Sequence, residues 1–186
     1  MSRDFETKTE YVQDVGELDE ALESLWTLHQ QRWAEKGESG NFRQHTKRRF
    51  YAEVARRCLK EGWLRLYRLR IDGQVVAVLF GFRYADQFYY LQGGFDPKWT
   101  KYSVGQVLLG QIMGDCIQDG ASGFDFLRGP EAYKYDWGTR DKRTCQVTIR
   151  KKCLKSLAIS RIANGHQFLK HVGSQASKLR AKQSHN

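Results

Sequence analysis

A chain of 186 residues with 40% apolar and 13% aromatic side chains suits one domain with a substantial core, which argues against two full domains and against a disordered chain. Its formal charge of +10 is concentrated at one end: residues 142 to 186 carry eleven Lys or Arg and no Asp or Glu, and the rest is close to neutral. The body therefore gives no electrostatic reason to expect a nucleic-acid-binding domain, whereas the tail can meet phosphates or lipid headgroups. Cys58, Cys116, Cys145 and Cys153 are scattered without a Cys-x-x-Cys pair, so neither a metal site nor a disulfide framework is expected. The N-terminus lacks the apolar core of a signal peptide, and the longest aliphatic run, Val75 to Phe80, is far too short to span a bilayer. A cytoplasmic chain with reduced thiols is expected.

Residues 1 to 14 read as a polar leader or a short edge strand. From Val15 to about Lys36, Leu18, Leu22, Leu25, Trp26, His29 and Trp33 recur every three or four residues and predict an amphipathic helix. His29 lies on its apolar face and reads as a packed histidine. A second helix, capped by Thr46, carries Phe50, Tyr51, Val54, Ala55, Cys58 and Leu59 on one side, with basic residues on the other. Trp63 to Arg70 alternates as a strand, Asp72-Gly73 supplies a hairpin turn, and Val75 to Tyr84 continues as an apolar strand.

The next stretch organises the chain. Phe88 to Phe95 is an aromatic strand closed by the pair Gly93-Gly94, and Asp96-Pro97 opposes its continuation. A helix is predicted over Gln106 to Gln118 with Ser103 as its cap, then a short strand from Phe124 to Leu127 and a polar loop to Gly138. This β-α-β unit places a helix N-terminus beside the end of the first strand, where free amides and the helix dipole favour an anion. The single glycine of Ser103-Val-Gly105 fits phosphate binding or ordinary capping. A last strand is expected at about Thr144 to Lys152. The order predicts an α+β fold, a mixed and mostly antiparallel sheet flanked by helices with one β-α-β crossover.

This order resembles the Gcn5-related acetyltransferase (GNAT) fold, in its CelD-like, cellulose-biosynthesis-type branch. The carrying residues are Leu28-His-x-x-Arg-Trp33 with Gly37, Gly62-Trp-Leu-Arg-Leu66, Tyr90-x-x-Gly-Gly-Phe-Asp96, Ser103-x-Gly105, and Phe124-Asp-Phe-Leu-Arg-Gly129 with Tyr133-Lys134 and Trp137. The GNAT-like domain is expected over 15 to 153, followed by a basic amphipathic tail over 154 to 186 with the option of contact with a membrane surface. Where common relatives carry Arg/Gln-x-x-Gly-x-Gly/Ala, this chain has Lys101-Tyr-Ser-Val-Gly105-Gln106-Val107. The Gly129, Tyr133-Lys134 and Trp137-Gly138 pattern is also similar to that of Fem-type aminoacyl transferases, which use aminoacyl-tRNA.

The resemblance implies acetyl-CoA as acyl donor, held between the Phe88 to Phe95 strand and the Phe124 to Leu127 strand. Its pyrophosphate is expected on the amides of Tyr102, Ser103, Val104, Gly105, Gln106 and Val107. Amides around Leu91, Gln92 and Gly93 are candidates for polarising the thioester carbonyl, and Tyr133 for protonating the thiolate. Asp125 or Glu131 is the expected base, and Arg128 and Lys134 are expected to meet phosphates, the oxyanion or the acceptor. The expected activity is acetyl transfer to an amine or hydroxyl of a sugar, polysaccharide precursor or other small polar acceptor. The alternatives are a Fem-like tRNA-dependent transferase and a non-catalytic half-domain. Because branch members are often about twice as long, a second GNAT-like half or a homodimer is a candidate partner.

Overall fold

The computed structural model describes residues 5 to 149 apart from 36, 38, 39, 130, 139, 146 and 148. The chain divides into two units, residues 1 to 139 and 140 to 186. All secondary structure among the described residues lies in the first. The expected tail over 154 to 186 lies outside the described residues, as does most of the strand expected at 144 to 152.

Five strands form one sheet in the order β1-β2-β3-β4-β5: β1 (Thr7–Tyr11), β2 (Leu64–Ile71), β3 (Gln74–Tyr84), β4 (Gln87–Phe95) and β5 (Gly123–Asp125). The first four are mutually antiparallel and β5 joins β4 in parallel. Thr7–Tyr11 is thus an edge strand. Three helices flank the sheet: α1 (Val15–Ala34), α2 (His45–Lys60) and α3 (Val104–Gln118). Tight turns Asn41–Arg43 and Pro97–Tyr102, absent from the sequence expectation, precede α2 and α3.

Alternation along the strands sorts side chains between two cores. Leu64, Leu66, Val78 and Phe80 face α1 and α2, packing on Leu18, Leu22, Leu25, Trp26 and Ala55. Tyr67, Leu69, Ala77, Leu79 and Phe88 face α3, packing on Val104, Leu108, Leu109 and Ile112. Arg68 interrupts the first pattern. Its side chain is 3% exposed and meets Glu10 and Glu17 at 3.1 Å and Glu20 at 3.7 Å. Arg70 adds bonds to Glu10 at 2.9 Å and Glu20 at 3.1 Å, so this cluster ties β1, β2 and α1 together. The hydrogen bond from Arg70, and then that from Lys8, hold the Glu10 carboxyl down at about 2.

Both expected caps differ from the structure. α2 begins at His45 after Gln44, with no side-chain cap, so Thr46 already lies inside the first turn. Ser103 does occupy the cap position of α3, but at φ 51° and ψ 40° its hydroxyl caps nothing. The left-handed residue lets the chain reverse from the Pro97–Tyr102 turn straight into the helix.

Candidate active site

β4 is where the sheet becomes irregular. Phe80 pairs with Gln92 and Gly81 with Tyr90, so Leu91 is the extra residue of a β-bulge. On its other side β4 pairs with β5 only through Gln87, Phe88 and Tyr89. Beyond Asp125 the chain turns away, with Leu127 at φ 55° and Gly129 at φ 120°. The stretch from Tyr90 to Phe95 therefore keeps β3 on one edge and, among the described residues, has no strand on the other.

A cavity of about 240 Å³ opens beside this free edge. β4 contributes Tyr90, Gly93, Gly94 and Phe95; the start of α3 contributes Ser103, Val104, Gly105 and Gln106; Tyr133 and Arg32 complete the polar part. At the helix start, the amides of Gln106 and Val107 both donate to the Ser103 carbonyl, at 2.8 and 3.0 Å. The two earlier amides, of Val104 and Gly105, are left at the open end of the helix, aimed at the position that suits an anion. Gly105 also allows the Phe95 ring to sit close, since a Cβ there would lie 3.3 Å from it.

The two glycines of β4 serve opposite faces. A Cβ on Gly94 would overlap the backbone of α1, within 2.6 Å of the Leu28 carbonyl carbon and 2.8 Å of the His29 Cα. On Gly93 it would meet the Tyr90 hydroxyl on the cavity side. That hydroxyl is a meeting point: it accepts from the Tyr133 hydroxyl and from Arg32. Burial raises the pKa of Tyr90, and the Arg32 charge and these bonds oppose the rise. Tyr133 is raised as well, by burial and then by Tyr90, so both phenols stay protonated at neutral pH.

Of the residues expected at the site, Gly93, Ser103, Val104, Gly105, Gln106 and Tyr133 line the cavity. The others are not among its lining residues. Leu91 packs toward the α1 and α2 core, and Tyr102 against Phe5 and Trp99. Gln92 points between His29 and Tyr51. Asp125 accepts the Leu127 amide at 2.8 Å, closing the turn that follows β5. Lys134 donates to the carbonyls of Arg128 and Gly129 and pairs with Glu131 at 2.7 Å, so these residues tie the loop after β5 to itself. The same loop is fastened to α3 by Trp137, whose indole N–H donates to the Gln106 side chain at 2.7 Å.

Arg32, Tyr90 and Thr100 are the polar lining residues that sequence reasoning left out of the site. A signal existed for Arg32: it follows His29 by three positions, so the turn that packs against β4 also brings it to the cavity. His29 itself is fully buried. Its Nε2 accepts from Trp33 at 3.0 Å, Nδ1 makes no hydrogen bond, and burial lowers its pKa to about 4 with Gln92 beside it opposing the shift.

A mixed sheet with a bulged β4, a splayed parallel β5 and a helix N-terminus facing the gap defines an acetyltransferase of the GNAT class. Residues 1–135 match the acetyltransferase (GNAT) domain family, and the chain belongs to it, in its CelD-like branch. Among curated proteins none is significantly similar in sequence. The fold is similar to that of a GCN5-related N-acetyltransferase from Ralstonia eutropha, at TM-score 0.56 and 11% identity over 77% of this chain and 99% of that one. Aminoglycoside N-acetyltransferase AAC(6')-Iy, crystallised with CoA, matches at TM-score 0.53 and 14% identity, covering 82% of this chain and 99% of its own. A soil metagenomic aminoglycoside acetyltransferase in complex with sisomicin matches at TM-score 0.52 and 14% identity, over 78% of this chain and 97% of that one. Among the described residues, no helix is long and apolar enough to cross a membrane.

Proposed function

We propose that this chain transfers the acetyl group of acetyl-CoA to an amine or hydroxyl of a small polar acceptor, such as a sugar or polysaccharide precursor. One observation carries this: the unpartnered Tyr90 to Phe95 edge of β4 faces the open Val104 and Gly105 amides across a single cavity. The helix end suits the pyrophosphate, and the strand edge suits the amide-bearing arm that ends in the thioester. The bulge at Leu91 turns backbone amides out of the ladder, where they can polarise the thioester carbonyl. Tyr133 is the proton donor to the departing thiolate. Of the two carboxylates, Glu131 is the better placed base, because its charge reaches Tyr90 and Tyr133, although it pairs with Lys134 at 2.7 Å.

The relative bound to sisomicin supports a small acceptor of the amino-sugar kind. The aminoacyl-tRNA alternative calls for basic residues along the cleft, and among the described lining residues it finds Arg32 alone. Calorimetric titration of the full chain with acetyl-CoA, coenzyme A, ATP and deacylated tRNA tests the assignment. Saturable binding of both coenzyme A forms is expected; tRNA binding without coenzyme A binding would replace it with the tRNA-dependent transferase.

A further inference from the structure

Among the described residues lining the cavity, Arg32 is the one charged side chain. It arrives from the opposite side of the sheet. α1 packs with α2 on one face, yet Tyr90, Phe95 and Tyr133, which meet Arg32, belong to the core on the α3 face. The route between the faces is the gap where β4 has lost β5. The turn of α1 that carries Arg32 is fixed, because Leu28 and His29 are buried and their backbone lies against Gly94.

This cation has neutral company. The guanidinium stands 5.2 Å from the centre of the Phe95 ring and donates to the Tyr90 hydroxyl. Glu131 is the nearby carboxylate whose field includes Arg32, and it is taken up by Lys134 at 2.7 Å. Among the described residues no carboxylate forms an ion pair with Arg32. A half-buried cation held among neutral groups stabilises whatever negative charge arrives next to it. If the thioester lies along β4 as assigned above, the group next to it is the sulfur that Tyr133 protonates.

We propose that Arg32 is a catalytic residue whose guanidinium receives the negative charge collecting on the coenzyme A sulfur as the acetyl group leaves; this rests on the acetyl-CoA assignment. The acceptor's nitrogen or oxygen bonds to the acetyl carbon, and the carbon–sulfur bond breaks with both electrons staying on sulfur. The acceptor's proton passes to Glu131, the base assigned above, and from there to solvent. Arg32 neutralises the sulfur at that moment, and Tyr133 then supplies its proton and regains one from solvent. The titratable groups that face the sulfur are Arg32 from α1, Tyr90 from β4, and Tyr133 with the Glu131–Lys134 pair from the loop after β5. β3 and α3 line the cavity with uncharged residues only.

The test reads the product thiol and needs no acceptor. The ultraviolet absorbance of the thiolate is titrated with pH for coenzyme A bound to the full chain, with the desulfo-coenzyme A complex as blank and calorimetric affinity measured in parallel. In the wild type the bound thiol is expected to titrate about one to three pH units below free coenzyme A. In Arg32→Gln the value should return toward that of the free thiol, with affinity changed by less than about threefold. Arg32→Lys, which keeps the charge, should retain most of the lowering, and it carries the test if the glutamine variant does not fold. A bound thiol that titrates alike in wild type and Arg32→Gln, or no lower than free coenzyme A in the wild type, overturns the proposal. So does a folded Arg32→Gln that has lost coenzyme A while Arg32→Lys binds it, because Arg32 would then anchor phosphate. Failure of the wild type to bind coenzyme A at all would remove the acetyl-CoA assignment itself.

Discussion

β4 contains two stretches with different surroundings. Gln87 to Tyr89 lies between two strands, whereas Tyr90 to Phe95 is paired to β3 alone. The first stretch is ordinary sheet interior, with Phe88 1% exposed and stacked on Phe124. The second carries the bulge, both glycines and four of the cavity's lining residues. The site therefore comes from the loss of one hydrogen-bonding partner, while pairing to β3 keeps the exposed edge rigid enough to position a ligand.

The adjacent glycines give the sharpest way to break this comparison. Gly94→Ala sets a methyl against the α1 backbone, which no rotamer change relieves, and should cost about 3 kcal/mol or more, read as a lower denaturant midpoint. Gly93→Ala meets the movable end of Tyr90 instead, so it should keep most of the stability and lose coenzyme A affinity. Equal effects from both substitutions would mean that the two faces of β4 are not specialised.

Tyr133→Phe should lower kcat about a hundredfold with little change in melting temperature or in KM for acetyl-CoA, as expected of a proton donor. A drop in stability with kcat preserved would make Tyr133 a packing residue.

Acid should act on the closed face first. His29 stays neutral down to about 4 against an unfolded value of 6.5, so its contribution is complete above pH 6.5 and is lost as pH falls toward 4, by about 3 kcal/mol. Glu10, held at about 2 against 4.5, adds a second loss below pH 4.5, and solvent screening reduces it to a smaller step. Denaturant midpoints measured across pH should show the two stages, and Arg70→Met should remove most of the second.

The smallest effect belongs to the loop after β5. Lys134→Met breaks its pair with Glu131 and two carbonyl contacts, and should cost about 1 kcal/mol or less in thermal unfolding. A loss as large as that of Gly94→Ala would mean that this loop, not the β4 edge, holds the site together.

Much of this architecture was legible in the sequence because local chemistry and tertiary environment agree. Asp72-Gly73, the alternation from Trp63 to Arg70 and the apolar spacing of α1 each specify one answer. The expected caps at Thr46 and Ser103 failed because the turns before α2 and α3 set where each helix starts, and those turns depend on packing around Phe42 and Trp99. At the site, the glycines and Tyr133 could be read because glycine and loop position are informative by themselves. Arg32 and Tyr90 stood in the motifs that carry the family resemblance, but their place in the site depends on β5 ending at Asp125, a feature of strand pairing that no local pattern records. Lys134 and Asp125 also carry local hydrogen bonds, Lys134 to the Arg128 and Gly129 carbonyls and Asp125 to the Leu127 amide.

The open edge of β4 has a dynamic signature. Between Tyr90 and Phe95 every second amide points toward the vacant side and has no ladder to protect it, so these amides should exchange with deuterium faster than those of Gln87 to Tyr89. A ligand lying along the edge would act as a temporary sixth strand. Slowed exchange confined to those alternate amides would then map the bound arm residue by residue, without a crystal of the complex.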